Sequence, residues 1–251
     1  MHHHSVVGRI ALVPLVIKLV SFVLISALDM DEAYLRQGLL LIPSYFADGW
    51  LVAQLIRLAI FKETWPAMLS GDRKKDMGLL HMRFRAIMSA TIIYVLLKLV
   101  LSFLSGVIMQ GSTLAQYQSE PPPEPSSWAF VVGILVIAFT VWAFRFLWLY
   151  IPAAMGYPLK DFLKRIAPYR VSIYMIATWF LCFIPLAIIF MMVSEVLVSA
   201  FPGAEAAQAS EAYKYSMVCV QAVLELLITI VSSVAMAYGI YGLYQGGPKR
   251  P

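Results

Sequence analysis

The stretch that decides the fold is residues 171–201, which read VSIYMIATWFLCFIPLAIIFMMVSEVLVSAF and contain a single charged side chain, Glu195. A helix needs about 20 apolar residues, each rising about 1.5 Å, to cross the ~30 Å hydrocarbon core of a bilayer. This stretch is long enough, and its continuous apolar character differs from the alternating pattern of a membrane β-strand. It therefore predicts a transmembrane helix.

Five more stretches meet the same criterion. They predict an all-α membrane protein with six transmembrane helices in one domain, residues 1–251. The predicted spans are 6–28, 38–61, 86–110, 128–151, 171–201 and 215–243. The chain is 61% hydrophobic and 13% charged, whereas soluble domains average about 25% charged residues. This composition excludes a disordered chain, a nucleic-acid-binding domain and a soluble enzyme.

The lysine and arginine residues outside the spans lie almost entirely on one side. Twelve of them, together with Arg9 at the N-terminal end of the first span, fall in the terminal segments and in loops 62–85 and 152–170, whereas Arg36 and Lys214 are the two on the other side. Cytoplasmic loops carry the excess of basic residues in membrane proteins. Both termini are therefore predicted to be cytoplasmic.

Two basic segments on that side, 72–85 and 158–166, are predicted to form short interfacial helices, because apolar residues recur in each on one helix face. Such helices attract anionic headgroups, although the charges can also serve only to fix topology. The candidate headgroup-binding residues are Arg73, Lys74, Lys75, Lys160, Lys164 and Arg165. The two segments match at an offset of 85 residues, Lys75-Asp76 with Lys160-Asp161, which suggests a weak internal repeat.

The run RFLWLYIPAA, residues 145–154, is followed by a basic segment, by Pro168-Tyr169-Arg170 and by a new span. This pattern resembles the six-helix membrane domain found beside bacterial glycerophosphodiester phosphodiesterases, and the uncharacterised stand-alone relatives of that domain. The resemblance covers only the region of the fourth and fifth spans and includes no catalytic motif, so no activity follows from it. It implies a protein of the bacterial cytoplasmic (inner) membrane.

Besides Arg9 at the N-terminal end of the first span, seven charged residues fall within the predicted spans: Lys18, Asp48, Arg57, Lys98, Arg145, Glu195 and Glu225. Each costs about 2.5–3.5 kcal/mol at a span centre if it is unpaired. Three lie near span ends, from which they can reach the interface. Near the midplane, Lys18 and Lys98 can neutralise Asp48 and Glu225. These four either line an ion, proton or substrate pathway, or form buried pairs that fix helix packing or contact a partner.

The sequence contains no H-E-x-x-H, G-x-S-x-G, P-loop or G-x-G-x-x-G motif, and no histidine lies in a span. We therefore expect no enzymatic activity, no metal and no cofactor. The leading expectation is an accessory or scaffold subunit of a membrane assembly, or a lipid-contacting organiser. Its partners would be anionic lipids and a membrane protein or a second copy of the chain, not nucleic acid. The alternative is a small-solute, ion or proton transporter or channel that uses the midplane charges.

Overall fold

A computed structural model describes residues 3–28, 34–63, 71–117, 127–201 and 210–245, and these residues form helices joined by short turns, with no strand among them. The elements are α1 His3–Ala27, α2 Tyr34–Leu40, α3 Ile42–Phe61, α4 Arg73–Tyr117, α5 Ser127–Ala143, a 3₁₀ turn Phe144–Trp148, α6 Tyr150–Ala154, α7 Leu159–Arg165, α8 Tyr169–Ala200 and α9 Glu211–Gln245. The prediction of an all-α chain is confirmed.

Five helical stretches in the described residues are long and apolar enough to cross a membrane. They are Gly8–Ala27, Arg73–Val107, Gly133–Ala154, Tyr169–Ala200 and Glu211–Gln245. They correspond to the first, third, fourth, fifth and sixth predicted spans. The fold is therefore consistent with a multi-pass membrane protein.

The second predicted span, 38–61, differs from the other five. The turn at Leu41 divides it into α2 and α3, and Pro43, next to the start of α3, has no N–H to bond the carbonyl of Leu39 four residues earlier. Helix α3 is not among the five apolar stretches, since it contains Asp48, Gln54 and Arg57. Twelve of its twenty residues are buried, and it packs against α1, α4, α6 and α9. Its polar side chains therefore face protein.

Helices α3 and α4 pack closely at Gly49. A Cβ atom there would lie 3.1 Å from Tyr94 Cδ1 and 3.2 Å from Thr91 Cα. Small residues at such positions let two membrane helices approach each other. The close packing keeps the preceding residue, Asp48, inside the bundle, where it is 1% exposed.

The two predicted interfacial segments fold differently from each other. Residues 159–165 form the separate short helix α7, with Phe162 and Ile166 buried. The prediction of a separate short helix over 72–85 is wrong, because this segment is the start of α4, one helix of 45 residues. It contains no proline and is rich in good helix formers, so nothing ends the helix before the span. The two halves of the predicted repeat therefore differ here, and residues 64–70 of the first half lie outside the described residues.

Candidate functional site: a buried charge network between two clefts

The four midplane charges come from four different helices and form one chain of ion pairs, here called the charge network. Lys18 Nζ lies 2.7 Å from Asp48 Oδ2 and 3.7 Å from Glu225 Oε1. Lys98 Nζ lies 3.6 Å from the same Glu225 oxygen. Two cations and two anions give the network no net charge, which lowers the cost of burying it inside a membrane.

The charge network has a dry half and an accessible half. The side chains of Lys18 and Asp48 are each 1% exposed, whereas those of Lys98 and Glu225 are 28% and 32% exposed. The Lys18–Asp48 pair is therefore sealed among helices α1, α3 and α9. Glu225 and Lys98 are the members that a small molecule can reach.

The first space next to Glu225 is a cleft of about 270 Å³ between α4, α6, α8 and α9, here called the aromatic cleft. The Lys98–Glu225 pair lies in its wall, and the Tyr150 and Ser233 hydroxyls form a 2.8 Å hydrogen bond there. Its aromatic lining residues are Tyr94, Phe144, Trp148, Tyr150 and Trp179. The wall thus combines apolar rings with one ion pair.

Part of this wall is not α-helical. The predicted fourth span, 128–151, is interrupted by the 3₁₀ turn Phe144–Trp148, and three residues of the turn, Phe144, Leu147 and Trp148, line the aromatic cleft. Stretches of 3₁₀ helix within a helical segment often mark functional hinges. The interruption therefore lies in the wall of the aromatic cleft.

The second space, here called the polar cleft, has a volume of about 550 Å³ and lies between α1, α2 and α9. Its polar lining residues are Ser26, Gln37, Tyr213, Lys214, Gln221 and Glu225. Glu225 therefore lines both clefts. The residue is thus common to a polar space and an aromatic one.

The polar lining residues of α9 share one face of that helix, here called the α9 stripe. Lys214, Gln221, Glu225, Thr229 and Ser232 are spaced by seven, four, four and three residues, which places them on one side of a helix. At about 1.5 Å per residue the stripe from Lys214 to Ser232 extends about 27 Å, close to the thickness of the hydrocarbon core. Sequence reasoning missed the stripe, although polar residues recurring every three or four positions in an apolar span were its signal.

Three arginines hold the other end of the bundle together. This basic end is where α3 ends at Phe61 and α4 begins at Arg73. The bonds run from Arg57 to Ala154 O (2.8 Å), from Arg145 to Ala167 O (2.8 Å) and from Arg165 to Leu243 O (2.7 Å). The accepting carbonyls lie at or just past the C-terminal ends of α6, α7 and α9, where helix carbonyls lack intrahelical partners and a cation is favoured.

These bonds correct one expectation about the arginines. Arg57 and Arg145 were expected to extend to the interface, but both are buried. The Arg165 guanidinium group donates to Leu243 O and lies over the Tyr244 ring, 4.6 Å from the centroid, and headgroup binding by Arg165 stays a prediction. All three side chains therefore tie helices to one another.

Glu63, like the α9 stripe, was not predicted from the sequence. Its two carboxylate oxygens accept hydrogen bonds of 2.8 Å from Arg57, and Oε2 lies 2.9 Å from Arg83 Nε. A two-pronged arginine–carboxylate pair is a strong, directional contact. Its signal was an acidic side chain in a basic loop, directly after the span whose last turns contain Arg57.

The remaining candidates are exposed. The candidate headgroup residues Arg73, Lys74, Lys75, Lys160 and Lys164 all lie on the surface at the basic end. Lys75 Nζ is 3.3 Å from Asp72 Oδ2. Glu195 is exposed on α8 and lines neither the aromatic nor the polar cleft.

In the described part of the chain, no three His, Cys, Asp or Glu side chains are grouped so that they could hold a metal ion. No family model, no curated protein and no solved structure matches this chain. The resemblance to the membrane domain beside glycerophosphodiester phosphodiesterases therefore stays a prediction. The charge network and its two clefts are the features of the described residues that bear on function.

Proposed function

We propose that this chain is a non-enzymatic membrane transporter whose translocation path follows the α9 stripe and whose protonatable group is Glu225. The observation that carries the proposal is that Glu225 lines both clefts while it pairs with Lys18 and Lys98. Ionisable residues inside the membrane mark ion pathways and proton relays when they face a cavity. This observation favours the transporter or channel, which was the alternative predicted from the sequence, over an accessory subunit.

The interrupted helix beside the aromatic cleft also supports transport. Non-α-helical backbone at membrane depth is tolerated where it is buried in protein or lines a cavity, and discontinuous helices form the binding sites of many transporters. The 3₁₀ turn Phe144–Trp148 meets this description, because it lies in the wall of the aromatic cleft. An accessory subunit would not need such an interruption.

Proton flux into proteoliposomes tests this function. An acid pulse is applied outside vesicles that contain the full chain and a trapped pH-sensitive dye. We expect the wild-type chain to acidify the lumen faster than protein-free vesicles do. Glu225→Gln removes the protonatable group but keeps the side-chain shape, so its flux should fall to the protein-free rate.

The matched control is Glu195→Gln, which neutralises an exposed carboxylate outside both clefts. Its flux should equal that of the wild type. A Glu225→Gln variant that conducts as well as the wild type would contradict the proposal, since the path would then not depend on the group between the clefts.

The proposal includes an orientation in a bacterial inner membrane. Helix α3 is proposed as a sixth span, shielded from lipid by its neighbours, and both termini are proposed to be cytoplasmic. The basic side chains near Phe61 and Arg73 support this arrangement through the positive-inside rule. The polar cleft would then face the outer side.

Lipid contact at the basic end is a second candidate function. The first turns of α4 expose Met77, Met82 and Phe84 beside exposed basic residues. Apolar and basic side chains exposed together are typical of helices that lie in the headgroup region. This observation favours the lipid-contacting organiser, and the same surface is available to a protein partner.

Native mass spectrometry in mixed phosphatidylglycerol and phosphatidylcholine tests lipid contact. Each basic residue near an anionic surface contributes about 1 kcal/mol, so Lys160→Gln/Lys164→Gln should retain less phosphatidylglycerol than the wild type. Lys214→Gln, at the other end of the bundle, is the control. Equal retention by all three proteins would contradict the role, and a stoichiometric protein partner in the wild-type spectrum would support an accessory role.

A further inference from the structure

We propose that the aromatic cleft binds a small zwitterion with an apolar side chain, of the amino-acid class. The ligand's ammonium group would pair with Glu225 and its carboxylate with Lys98. This inference rests on the proposed transport function, because it names the class of solute that enters the path at Glu225.

The distance between Lys98 and Glu225 favours a ligand between them. Their closest charged atoms are 3.6 Å apart, whereas a charge-assisted hydrogen bond from nitrogen to a carboxylate oxygen measures about 2.7–2.9 Å. Both side chains are about 30% exposed and both line the aromatic cleft. Each therefore has hydrogen-bonding capacity that a ligand of opposite charge can use.

The zero net charge of the network selects the ligand's charge. A bound cation or anion would leave one unbalanced charge inside the membrane, which is unfavourable. A zwitterion keeps the site neutral and replaces the Lys98–Glu225 pair with two pairs of opposite charge. Lys18 remains paired with Asp48 at 2.7 Å, so the dry half of the network need not change.

The walls and the size of the cleft select the rest of the ligand. The rings of Phe144, Trp148 and Trp179 offer an apolar surface next to the ion pair. Drug-sized ligands occupy cavities of about 300–1,000 Å³, and this cleft of about 270 Å³ is slightly smaller. The occupant is therefore a small molecule with one apolar group.

Three probes that share one side chain test the proposal: leucine is the zwitterion, leucinamide has only the ammonium group and N-acetyl-leucine has only the carboxylate. Binding to the full chain in nanodiscs is followed by tryptophan fluorescence, since Trp148 and Trp179 line the cleft, and by titration calorimetry. We expect leucine to bind and each analogue to bind about tenfold more weakly, the size of one lost charged contact.

Variants locate the binding site. Glu225→Gln and Lys98→Met should each weaken leucine binding about tenfold by removing one charged contact, and Glu225→Asp should restore part of the loss. Ser232→Ile fills the cleft without altering a charged residue, so it should abolish binding even if the charge variants fold poorly. Glu195→Gln is the control and should bind leucine like the wild type.

Equal binding of leucine and leucinamide, no binding of any probe, or unchanged binding by Ser232→Ile would each overturn the proposal. The binding measurement needs no flux, so its failure is separable from failure of transport. If proton flux depends on Glu225 but leucine does not bind, the proposed translocation path is supported and the proposed ligand class is wrong. If leucine binds but no vesicle shows proton flux, the proposed binding site is supported and the proposed transport function is wrong.

Discussion

At the scale of single residues, Lys18 and Asp48 have a structural role, which differs from the role proposed for Glu225. Their contact of 2.7 Å is the shortest in the charge network, and both side chains are almost completely buried. Lys18 is also 3.7 Å from Glu225, so its charge acts on the accessible half of the network. The pair therefore fixes α1 against α3 and sets the electrostatic environment in which Glu225 works.

Removing one member of this pair should destabilise the protein more than removing both. Lys18→Met leaves two carboxylates to share Lys98, and Asp48→Leu leaves two cations to share Glu225. Breaking a buried pair in this way costs about 3–5 kcal/mol, whereas replacing both partners by apolar residues costs far less. Reversible unfolding in SDS measures the free energies of the two single variants and of Lys18→Met/Asp48→Leu.

The double variant keeps Lys98 and Glu225 as a neutral pair, which is why it should recover most of the lost stability. The coupling energy between the two substitutions reports the interaction. If the double variant loses as much free energy of unfolding as the two single variants together, the pair is not a structural unit.

At the scale of elements, five of the six spans predicted from apolar runs are long apolar helices in the structure, because lipid-facing residues must be apolar and their pattern is local. This rule does not apply to helix α3. Its neighbours cover it, so it can carry Ser44, Asp48, Gln54 and Arg57 inside the protein. Hydropathy along the sequence does not distinguish a polar side chain facing another helix from one facing lipid or water.

Other features of the elements depend on contacts that the sequence does not display. The four charged residues at the midplane were found from their positions, but which of them pair depends on how α1, α3, α4 and α9 pack. The 3₁₀ turn Phe144–Trp148 contains no glycine or proline itself, and its one local signal is Pro152, which has no N–H to bond the Trp148 carbonyl four residues earlier. The arginine bonds to carbonyls are equally non-local, as Arg165 and Leu243 are 78 residues apart.

At the scale of the whole molecule, the α9 stripe leads to a closed end. Beyond Ser233 the same helix buries Met236, Ala237 and Ile240 in the main hydrophobic core, together with Ile151 of α6. Arg57 fastens the end of α6 to α3 through Ala154 O. The clefts therefore reach Glu225 and Ser233, while packed side chains separate Ser233 from the basic end. The proposed transport would therefore require α6 to move away from α9.

This two-ended arrangement requires α3 to cross the membrane, which single-cysteine labelling can test. With Cys182 and Cys219 replaced, Arg36→Cys and Lys75→Cys place exposed thiols before and after α3. Twenty helical residues extend about 30 Å, so a membrane-impermeant maleimide should label Arg36→Cys in intact cells and Lys75→Cys only after permeabilisation. Lys160→Cys, also at the basic end, should behave like Lys75→Cys. If the thiols on both sides of α3 react from the same side of the membrane, α3 does not cross it, and the polar cleft and the basic end do not lie on opposite sides.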